Sequence, residues 1–261
     1  MRTTLSLVGM LLLVAFAGSI AWADPLYLGH NYYALPKPGN VVLYVTSGDR
    51  YPLDEKIRPQ KVEAFRVLRP DGKMADLPLG QGGIYAIEFK AEQEGTYVFG
   101  MARKPITVRK REKDTETGGQ KEWTLAIFRS AKTLLTVGKP SDTALRPMGF
   151  RIEIVPRVHP ATLKVGDYLD FDVLLDGKPF EEHMIVQATY DGFSQETREF
   201  AYASQKNPGG HGHVRIIKPG VWRVAVYYTN RLPRGYGKGA DRSYLRASLT
   251  FIVGKEASFG D

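Results

Sequence analysis

Five histidines are the side chains in this sequence best suited to binding a soft ligand. Two of them, His211 and His213, lie two residues apart in the glycine-rich stretch 208–213 (PGGHGH). In a strand this spacing puts both imidazoles on one face, and in a loop it lets both turn toward one ion. Neutral imidazole nitrogens bind nickel, cobalt, copper and zinc. The spacing therefore predicts a transition-metal site at His211 and His213, and a polar loop without a ligand is the competing interpretation.

A third ligand has to come from elsewhere in the chain, because no further histidine lies close by in sequence. His183 precedes a predicted strand, and His159 lies at a predicted turn between Val158 and Pro160. His30 lies in an aromatic segment near the N-terminus. Any of the three completes the site only if the fold brings it there.

Other kinds of chemistry find less support. Asp167, Asp170, Asp172 and Asp176 lack the close run of oxygen ligands of a calcium loop, and strand alternation explains them as an outward face. The chain has no G-x-S-x-G or H-E-x-x-H motif and no spacing that suggests a catalytic triad. It has no cysteine, which excludes disulfides, thiolate catalysis and cysteine-based metal sites. We therefore expect no enzymatic activity.

The N-terminus has the pattern of a secretory signal peptide. A basic start at Arg2 precedes an apolar run over residues 5–20, and Ala21-Trp22-Ala23 forms a small-x-small cleavage site. We expect cleavage after Ala23 and export to the periplasm. The competing interpretation is an uncleaved anchor helix, because about 20 apolar residues can cross a bilayer.

The charge is strongly positive. The full sequence carries a formal charge of +8, and removal of residues 1–23 leaves 35 basic and 28 acidic residues, a charge of +7. In an exported protein this favours anionic lipid headgroups, cell-wall polymers or acidic partners over nucleic acid. A generally basic surface is the simplest interpretation, because the Lys and Arg residues are spread along the chain.

The first half of the chain predicts strands separated by turn residues. Arg69–Lys73 (RPDGK) has the turn geometry of a hairpin. Residues 103–122 carry dense mixed charge, which predicts a solvated loop or a long hairpin tip, with basic membrane contact as the alternative. Residues 123–137 have both helical and strand features, and the surrounding strands favour a strand. The other predicted strands are 41–45, 62–68, 74–79, 84–89 and 98–102.

The second half has a more regular alternation of apolar and polar residues. Asp176-Gly177 is a strong two-residue hairpin signal, and Trp222 is expected to fill the core. Seven strands in about 100 residues are typical of an immunoglobulin-like sandwich. These strands are predicted at 151–155, 168–175, 184–190, 196–202, 214–217, 221–228 and 245–253.

The fold class that follows is all-β, with two immunoglobulin-like β-sandwich domains in tandem after a signal peptide. Residues 141–147 form a polar, proline-bounded connector and the best boundary. The predicted units are a signal peptide (1–23), an N-terminal β-rich domain (24–145), a seven-stranded sandwich (146–254) and a tail (255–261).

Several motifs of the second half together resemble a known family. They are Gly149–Pro156, His159-Pro160, Leu163–Asp167, Val173–Pro179 and Lys218–Trp222. Their order is similar to that of a bacterial exported domain-of-unknown-function family, often labelled as periplasmic components of ABC-type cobalt or nickel transport systems. The resemblance implies an all-β periplasmic protein that assists transition-metal uptake.

This sequence departs from that family at its N-terminus. Members commonly begin the mature chain with a histidine directly after the cleavage-site alanine, and here Asp24 stands there, with His30 further on.

Two functions are compatible with these observations. The first is a non-enzymatic periplasmic accessory protein that binds or hands over a divalent transition metal, with a metal permease or another envelope protein as its partner. The alternative is a sandwich module that recognises a cell-envelope glycan or protein through the aromatic N-terminal segment and the basic loop 231–242. Neither involves nucleic acid or a membrane span after cleavage.

Overall fold

The computed structural model describes residues 26–47, 57–79, 86–113, 118–194, 200–204, 210–232 and 240–254. Within these residues the chain forms β-strands and short 3-10 turns, with no α-helix. The turns are Pro59–Lys61, Asp142–Leu145 and Pro160–Thr162. The predicted all-β sandwich class is confirmed.

Sixteen strands are formed by the described residues. In chain order they are β1 (Leu26–His30), β2 (Ala34–Leu35), β3 (Gly39–Ser47), β4 (Val62–Leu68), β5 (Met74–Asp76), β6 (Ala86–Ala91), β7 (Gly95–Lys113), β8 (Gln120–Val137), β9 (Ile152–Pro156), β10 (Tyr168–Leu175), β11 (Lys178–Pro179), β12 (Ile185–Tyr190), β13 (Tyr202–Ser204), β14 (His211–Arg215), β15 (Gly220–Asn230) and β16 (Arg242–Val253).

The largest sheet has nine strands and takes them from both halves of the chain. Its order is β13-β12-β15-β16-β8-β7-β4-β5, and β2 also pairs with β8. The two halves meet where β16 runs parallel to β8, from Arg242 opposite Leu125 to Thr250 opposite Thr133. The connection between these two strands contains most of the second half of the chain. Parallel pairing of this kind has no local turn to specify it.

Two smaller sheets cover opposite faces of this central sheet. One consists of β1, β3 and β6, and the other of β9, β10, β11 and β14. Along β7, Phe99 and Met101 pack into a core with β1 and β3, whereas Val98 and Ala102 pack into a core with β10 and β14. Because successive side chains of a strand point to opposite faces, the central sheet is buried on both sides in this region.

The covering of both faces changes the environment of β16. Arg246, Ser248 and Thr250 alternate with apolar residues, a pattern typical of a strand with one solvated face, yet they are only 8%, 2% and 0% exposed. Strand β1 lies over them. The Ser248 hydroxyl donates to the Leu26 carbonyl over 2.7 Å, and Arg246 Nη2 donates to the Tyr27 hydroxyl over 3.2 Å.

A buried ion pair joins the two halves. Lys132 Nζ on β8 lies 3.1 Å from Glu153 Oε2 on β9, and both residues are at most 1% exposed. The Glu153 carboxylate also accepts the backbone N–H groups of Met148 and Gly149, over 2.9 and 3.0 Å. Burial lowers the pKa of Lys132, and the Glu153 carboxylate acts in the opposite direction.

The division into units 24–145 and 146–254 stays a prediction. The central sheet and the Lys132–Glu153 pair run across the boundary between them.

The turns predicted from the sequence are formed. Asp176 and Gly177 have φ of 51° and 77°, the left-handed values that a two-residue hairpin demands. Gly72 has a φ of 80° in the turn between β4 and β5. The ambiguous segment 123–137 is a strand, because it belongs to β8. Trp222 fills the core as predicted: it is 1% exposed, and its indole N–H donates to the Lys218 carbonyl over 2.8 Å.

The charged segment 103–122 belongs to a long hairpin, the second of its two predicted structures, and not to a solvated loop. Strand β7 continues through Lys113 and β8 begins at Gln120, so most of this segment lies in the two strands of a long hairpin. The segment is ordered because the backbone N–H and C=O groups of each strand form hydrogen bonds with those of the other. Arg103, at its start, is only 9% exposed.

Some predicted features fall outside the described residues. These are the signal peptide, the tail 255–261, residues 195–199 of the region around the predicted strand 196–202, residues 84–85 of the predicted strand 84–89, residues 114–117 of the charged segment and residues 233–239 of the basic loop. Among the residues that the structure describes, no helix has the length and apolar character needed to cross a membrane.

Candidate functional site

The two histidines of the predicted metal site lie on the outer face of the four-stranded sheet. His211 and His213 occupy alternate positions of β14, and both are exposed. The register with β10 places Asp172 opposite His211 and Asp170 opposite His213. Two imidazoles and two carboxylates therefore lie close together on one solvated face. The strand predicted at 214–217 instead spans His211–Arg215, so both histidines belong to the strand and not to the loop before it.

Gly212 separates the histidines for a steric reason. It faces inward, and a Cβ at this position would lie 2.2 Å from Cζ of the Phe171 ring. Only glycine leaves room for this aromatic ring of β10 to pack under β14. Gly212 suggested a loop in the sequence, but in the structure it allows β14, which carries the two histidines, to pack closely on β10.

His211 belongs to a charged network with Asp172 and Arg157. Its Nδ1 lies 2.5 Å from Asp172 Oδ1, and its Nε2 lies 3.2 Å from Arg157 Nη2. Arg157 Nε donates to the same Asp172 oxygen over 2.8 Å. A guanidinium can only donate, so Nε2 accepts, and Nδ1 carries the proton and donates its hydrogen bond to Asp172 Oδ1. The imidazole is held in one orientation by this network.

His213 has a different environment. Its ring meets the Tyr168 ring edge-on, with centroids 5.7 Å apart. Tyr168 is 49% exposed, and Val165 and Ile217, near the same end of the sheet, are 56% and 52% exposed. Ile216 and Gly166 join these segments through a backbone hydrogen bond of 2.8 Å. An exposed apolar patch therefore borders the histidine face.

His30 does not join this site. It is 2% exposed, with Nδ1 2.5 Å from the Tyr32 carbonyl oxygen and Nε2 3.0 Å from the Leu134 carbonyl oxygen. Its ring packs on Tyr33, with centroids 4.0 Å apart. Burial lowers the pKa of His30 to about 4, although both carbonyl groups act in the opposite direction. This histidine, the last residue of β1, is part of the core between β1 and β8.

His159 caps the turn Pro160–Thr162. Its Nδ1 accepts the Ala161 N–H over 3.1 Å, so Nε2 carries the proton and donates to Thr96 Oγ1 over 2.8 Å. Burial lowers the pKa of His159, with nearby Asp142 acting in the opposite direction. Both ring nitrogens are used within the fold.

His183 is exposed and lies just before β12. Among the described residues, no group of three or more His, Asp or Glu side chains is arranged to hold a metal ion. The structure thus brings together His211 and His213 with Asp170 and Asp172, and it places His30, His159 and His183 elsewhere.

Sequence reasoning missed Arg157, Lys132 and Glu153. Arg157 follows a predicted strand end and carries no motif. Glu153 stands at an alternate position of an apolar strand, where an outward carboxylate is expected, yet it is fully buried by β8. No local signal reveals this burial, because the covering strand comes from the other half of the chain.

The aromatic N-terminal segment also differs from its expected role. Tyr27 and Tyr33 are 3% and 2% exposed, which removes them from any binding surface, whereas Tyr32 is 41% exposed. Tyr27 lies under the Arg223 guanidinium, 4.0 Å from the ring centroid. This segment builds the core rather than a recognition surface.

The solved structures that match the chain do so at low identity and low TM-score. The chain is 9% identical to the fibronectin(III)-like modules of Clostridium thermocellum CbhA, with a TM-score of 0.20 over 90% of this chain and 100% of that one. A DUF3823 family protein from Bacteroides uniformis is 9% identical, with a TM-score of 0.25 over 88% of this chain and 100% of that one. Salmonella alpha-2-macroglobulin is 11% identical, with a TM-score of 0.23, and the 88% of this chain that matches spans 15% of its length.

The family assignment rests on the sequence. No curated protein matches the chain. One family model, described as "Domain of unknown function (DUF4198)", matches residues 21–230, which is most of the sequence. The chain belongs to this DUF4198 family.

Proposed function

We propose that this protein is an exported, non-enzymatic accessory protein that captures a divalent transition metal at His211 and His213 and hands it to a partner in the envelope. The observation that carries the proposal is the shared exposed face of β14, where each histidine stands opposite an aspartate of β10. Nickel, cobalt, copper and zinc are the ions that imidazole nitrogens favour.

Asp172 would prepare His211 for this role. A metal-binding histidine usually donates its second ring N–H to a carboxylate, which fixes the tautomer and makes the free nitrogen a better ligand. Asp172 accepts the hydrogen bond of the Nδ1–H group of His211 in this way. The nitrogen left for the cargo is Nε2.

The weakness of the site suits transfer better than storage. Two histidines with no third side chain in place, on a solvated face, are expected to bind a metal loosely and exchange it quickly. Arg157 competes for the same nitrogen, because its Nη2 donates to Nε2 over 3.2 Å. Metal capture therefore requires the guanidinium to turn away, and its positive charge weakens cation binding.

Metal titration tests the proposal. The tag-free protein would be titrated with Ni²⁺, Co²⁺, Cu²⁺ and Zn²⁺ by calorimetry, beside the double variant His211→Ala/His213→Ala. We expect binding to the protein and its loss in the double variant. His183→Ala, which removes an exposed histidine elsewhere, is the matched control and is expected to bind like the parent protein.

Two further variants test the geometry. Asp172→Asn is expected to lower metal affinity about tenfold or more, because the orienting carboxylate is lost. Arg157→Gln is expected to raise it, because a competing donor and a positive charge are removed. Absence of binding tighter than millimolar, or equal binding in the double variant, would show that the histidine network is only a surface hydrogen-bond network.

Export is part of the same proposal. Mass spectrometry of the protein recovered from the periplasm is expected to give a chain beginning at Asp24. A chain beginning at Met1 and recovered with membranes would favour the anchor interpretation instead.

A second candidate function is recognition of an envelope protein or glycan at the apolar patch beside His213. Exposed apolar side chains that cluster on one face are typical of interaction sites, and Val165, Tyr168 and Ile217 are each about half exposed. A permease that receives the metal would fit this location. The double variant Tyr168→Ser/Ile217→Ser is expected to weaken partner cross-linking and to leave the metal titration unchanged.

A further inference from the structure

The hairpin of β7 and β8 extends beyond the central sheet. Pairing of β4 with β7 begins at Arg103, and pairing of β16 with β8 begins at Leu125. Beyond these points, residues 109–113 of β7 and 120–124 of β8 pair with each other alone among the described strands. The hairpin therefore forms a two-stranded arm that projects from one end of the sheet.

The second basic segment of the chain is attached to the root of this arm. Asp241 Oδ2 accepts the backbone N–H and the hydroxyl of Thr124, over 2.7 and 2.8 Å. Arg242 Nη2 lies 3.2 Å from Glu112 Oε1, and its guanidinium stacks 4.3 Å from the centroid of the Trp123 ring. The charged segment after Ala102 and the residues Asp241 and Arg242, separate in sequence, thus meet in space.

We call residues 104–113, 118–124, 230–232 and 240–242 the basic end. It contains eight basic and three acidic side chains, so it holds a surplus of five positive charges out of the +8 of the whole sequence. The three carboxylates are engaged locally, Glu112 by Arg242, Glu122 by Arg111 and Asp241 by Thr124.

Four cations of the β7–β8 hairpin are left for another molecule. They are exposed and make no hydrogen bond or ion pair through their side chains within the described part of the chain: Lys104, Arg109, Lys113 and Lys121.

A structural role is the alternative explanation for the charged side chains of a projecting hairpin. Lysines along a bare strand edge prevent edge-to-edge aggregation. Charges of either sign would serve that purpose. The basic end instead carries one sign in excess, and a second, distant segment is fixed there by ion-pair and hydrogen-bond contacts.

We infer that the basic end docks the protein on an anionic phospholipid surface. The register places Arg109 and Lys113 on one face of the projecting ribbon and Lys121 on the other, while Lys104 lies before the ribbon begins. Headgroups that surround the ribbon reach cations on both faces, which a single anion does not. Each basic residue near an anionic leaflet strengthens binding about fivefold. This inference is independent of the metal site, which lies on the four-stranded sheet.

Vesicle cosedimentation tests the inference. The purified protein would be mixed with vesicles of phosphatidylcholine alone and of phosphatidylcholine with phosphatidylglycerol, at low and high salt. The arm variant Lys104→Gln/Arg109→Gln/Lys113→Gln/Lys121→Gln leaves every ion pair of the arm intact. The control variant Lys37→Gln/Lys139→Gln/Lys164→Gln/Lys178→Gln removes the same net charge from exposed lysines elsewhere.

We expect binding to phosphatidylglycerol vesicles alone, loss of that binding at high salt, and at least a tenfold weakening in the arm variant but not in the control. Thermal melting of both variants at the parent temperature shows that the fold is retained. If the arm variant melts early, the single reversal Lys121→Glu replaces it, with at least a threefold weakening expected.

Three outcomes would overturn the inference. One is no binding to phosphatidylglycerol vesicles, and another is equal weakening in both variants, which would reflect net charge only. The third is tighter binding to DNA or to an acidic protein under salt conditions at which vesicle binding is lost.

Discussion

Two charged networks, each centred on a carboxylate of the four-stranded sheet, differ in burial and therefore in what they can do. Glu153 is 0% exposed and is held by Lys132 and two backbone N–H groups, whereas the Asp172 side chain is 27% exposed and is shared by Arg157 and His211. The first network joins strands from the two halves of the chain. The second faces solvent, where its partners can exchange.

The comparison shows that residue type does not decide the role of a charged pair. A buried charge cannot be left without its partner, because solvation by the protein interior is poor. An exposed charge is solvated by water when its partner leaves, so the pair contributes little to stability. The buried network is therefore structural, and the exposed one is available for binding.

The largest expected effect is the removal of Glu153. The substitution Glu153→Ala leaves Lys132 buried and uncompensated, and we expect the free energy of unfolding to fall by about 3–5 kcal/mol. Urea unfolding measures the change. Asp76→Ala, which breaks the exposed pair with Arg66 at 3.0 Å, is the control and should cost less than about 1 kcal/mol. Similar losses in both variants would refute the distinction between the networks.

A second prediction compares the buried and the exposed histidine through pH. The pKa of His30 is about 4 in the folded protein and 6.5 in the unfolded chain, so between these values only the unfolded chain binds the proton. The free energy of unfolding should therefore rise with pH across this window, by about 3 kcal/mol in total, and His30 should contribute no further change above it.

Asp191 contributes with the opposite sign. Burial raises the pKa of its carboxyl from 3.8 to about 6, which favours the protonated folded state, so this group lowers stability as pH rises through that window.

Urea unfolding of the parent protein and of His30→Gln between pH 4 and 7 separates the contribution of His30 from that of Asp191. We expect the variant to lose the rising component that His30 supplies, and His211→Gln to keep it. An unchanged pH slope in His30→Gln would contradict the assignment.

The third prediction concerns the strand that carries the exposed network. Gly212→Ala places a methyl group against the Phe171 ring, and we expect a loss of about 1–3 kcal/mol in the free energy of unfolding. At Gly39 the nearest atom to an added Cβ is 3.6 Å away, so Gly39→Ala is the matched control and should change stability by about 0.5 kcal/mol at most. Partial recovery in Gly212→Ala/Phe171→Leu would identify the ring as the cause.

The smallest effect is expected for the exposed carboxylate. Asp172→Asn should change the free energy of unfolding by less than about 1 kcal/mol, because water replaces the lost partners of Arg157 and His211. A loss comparable to that of Glu153→Ala would mean that the outer network is structural after all. Urea unfolding of the two variants under one set of conditions makes the comparison direct.

Much of the local structure could be predicted because it depends on near neighbours. The turn at Asp176-Gly177 follows from the positive φ that glycine accepts, and the outward face of β10 follows from its alternation of polar and apolar residues. The same rule placed His211 and His213 on one face once their segment proved to be a strand. Their segment can pair with β10 as a strand because Gly212, between the two histidines, leaves room for the Phe171 ring.

The roles of the other histidines could not be predicted, because a histidine carries no local sign of what covers it. His30 ends β1 and His183 lies just before β12. Strand β1 packs on the central sheet, which buries His30, whereas nothing comparable covers His183 within the described residues. The contact of His159 with Thr96 joins positions 63 residues apart.

The sequence by itself determined the all-β class, most strand positions and the hairpin turns, since each depends on side-chain alternation or backbone preference over a few residues. Only the tertiary structure decided that β16 pairs in parallel with β8, that the central sheet is covered on both faces and that two basic segments meet at one end. These are long-range contacts, and alternation specifies which face of a strand is apolar without specifying which strand lies beside it.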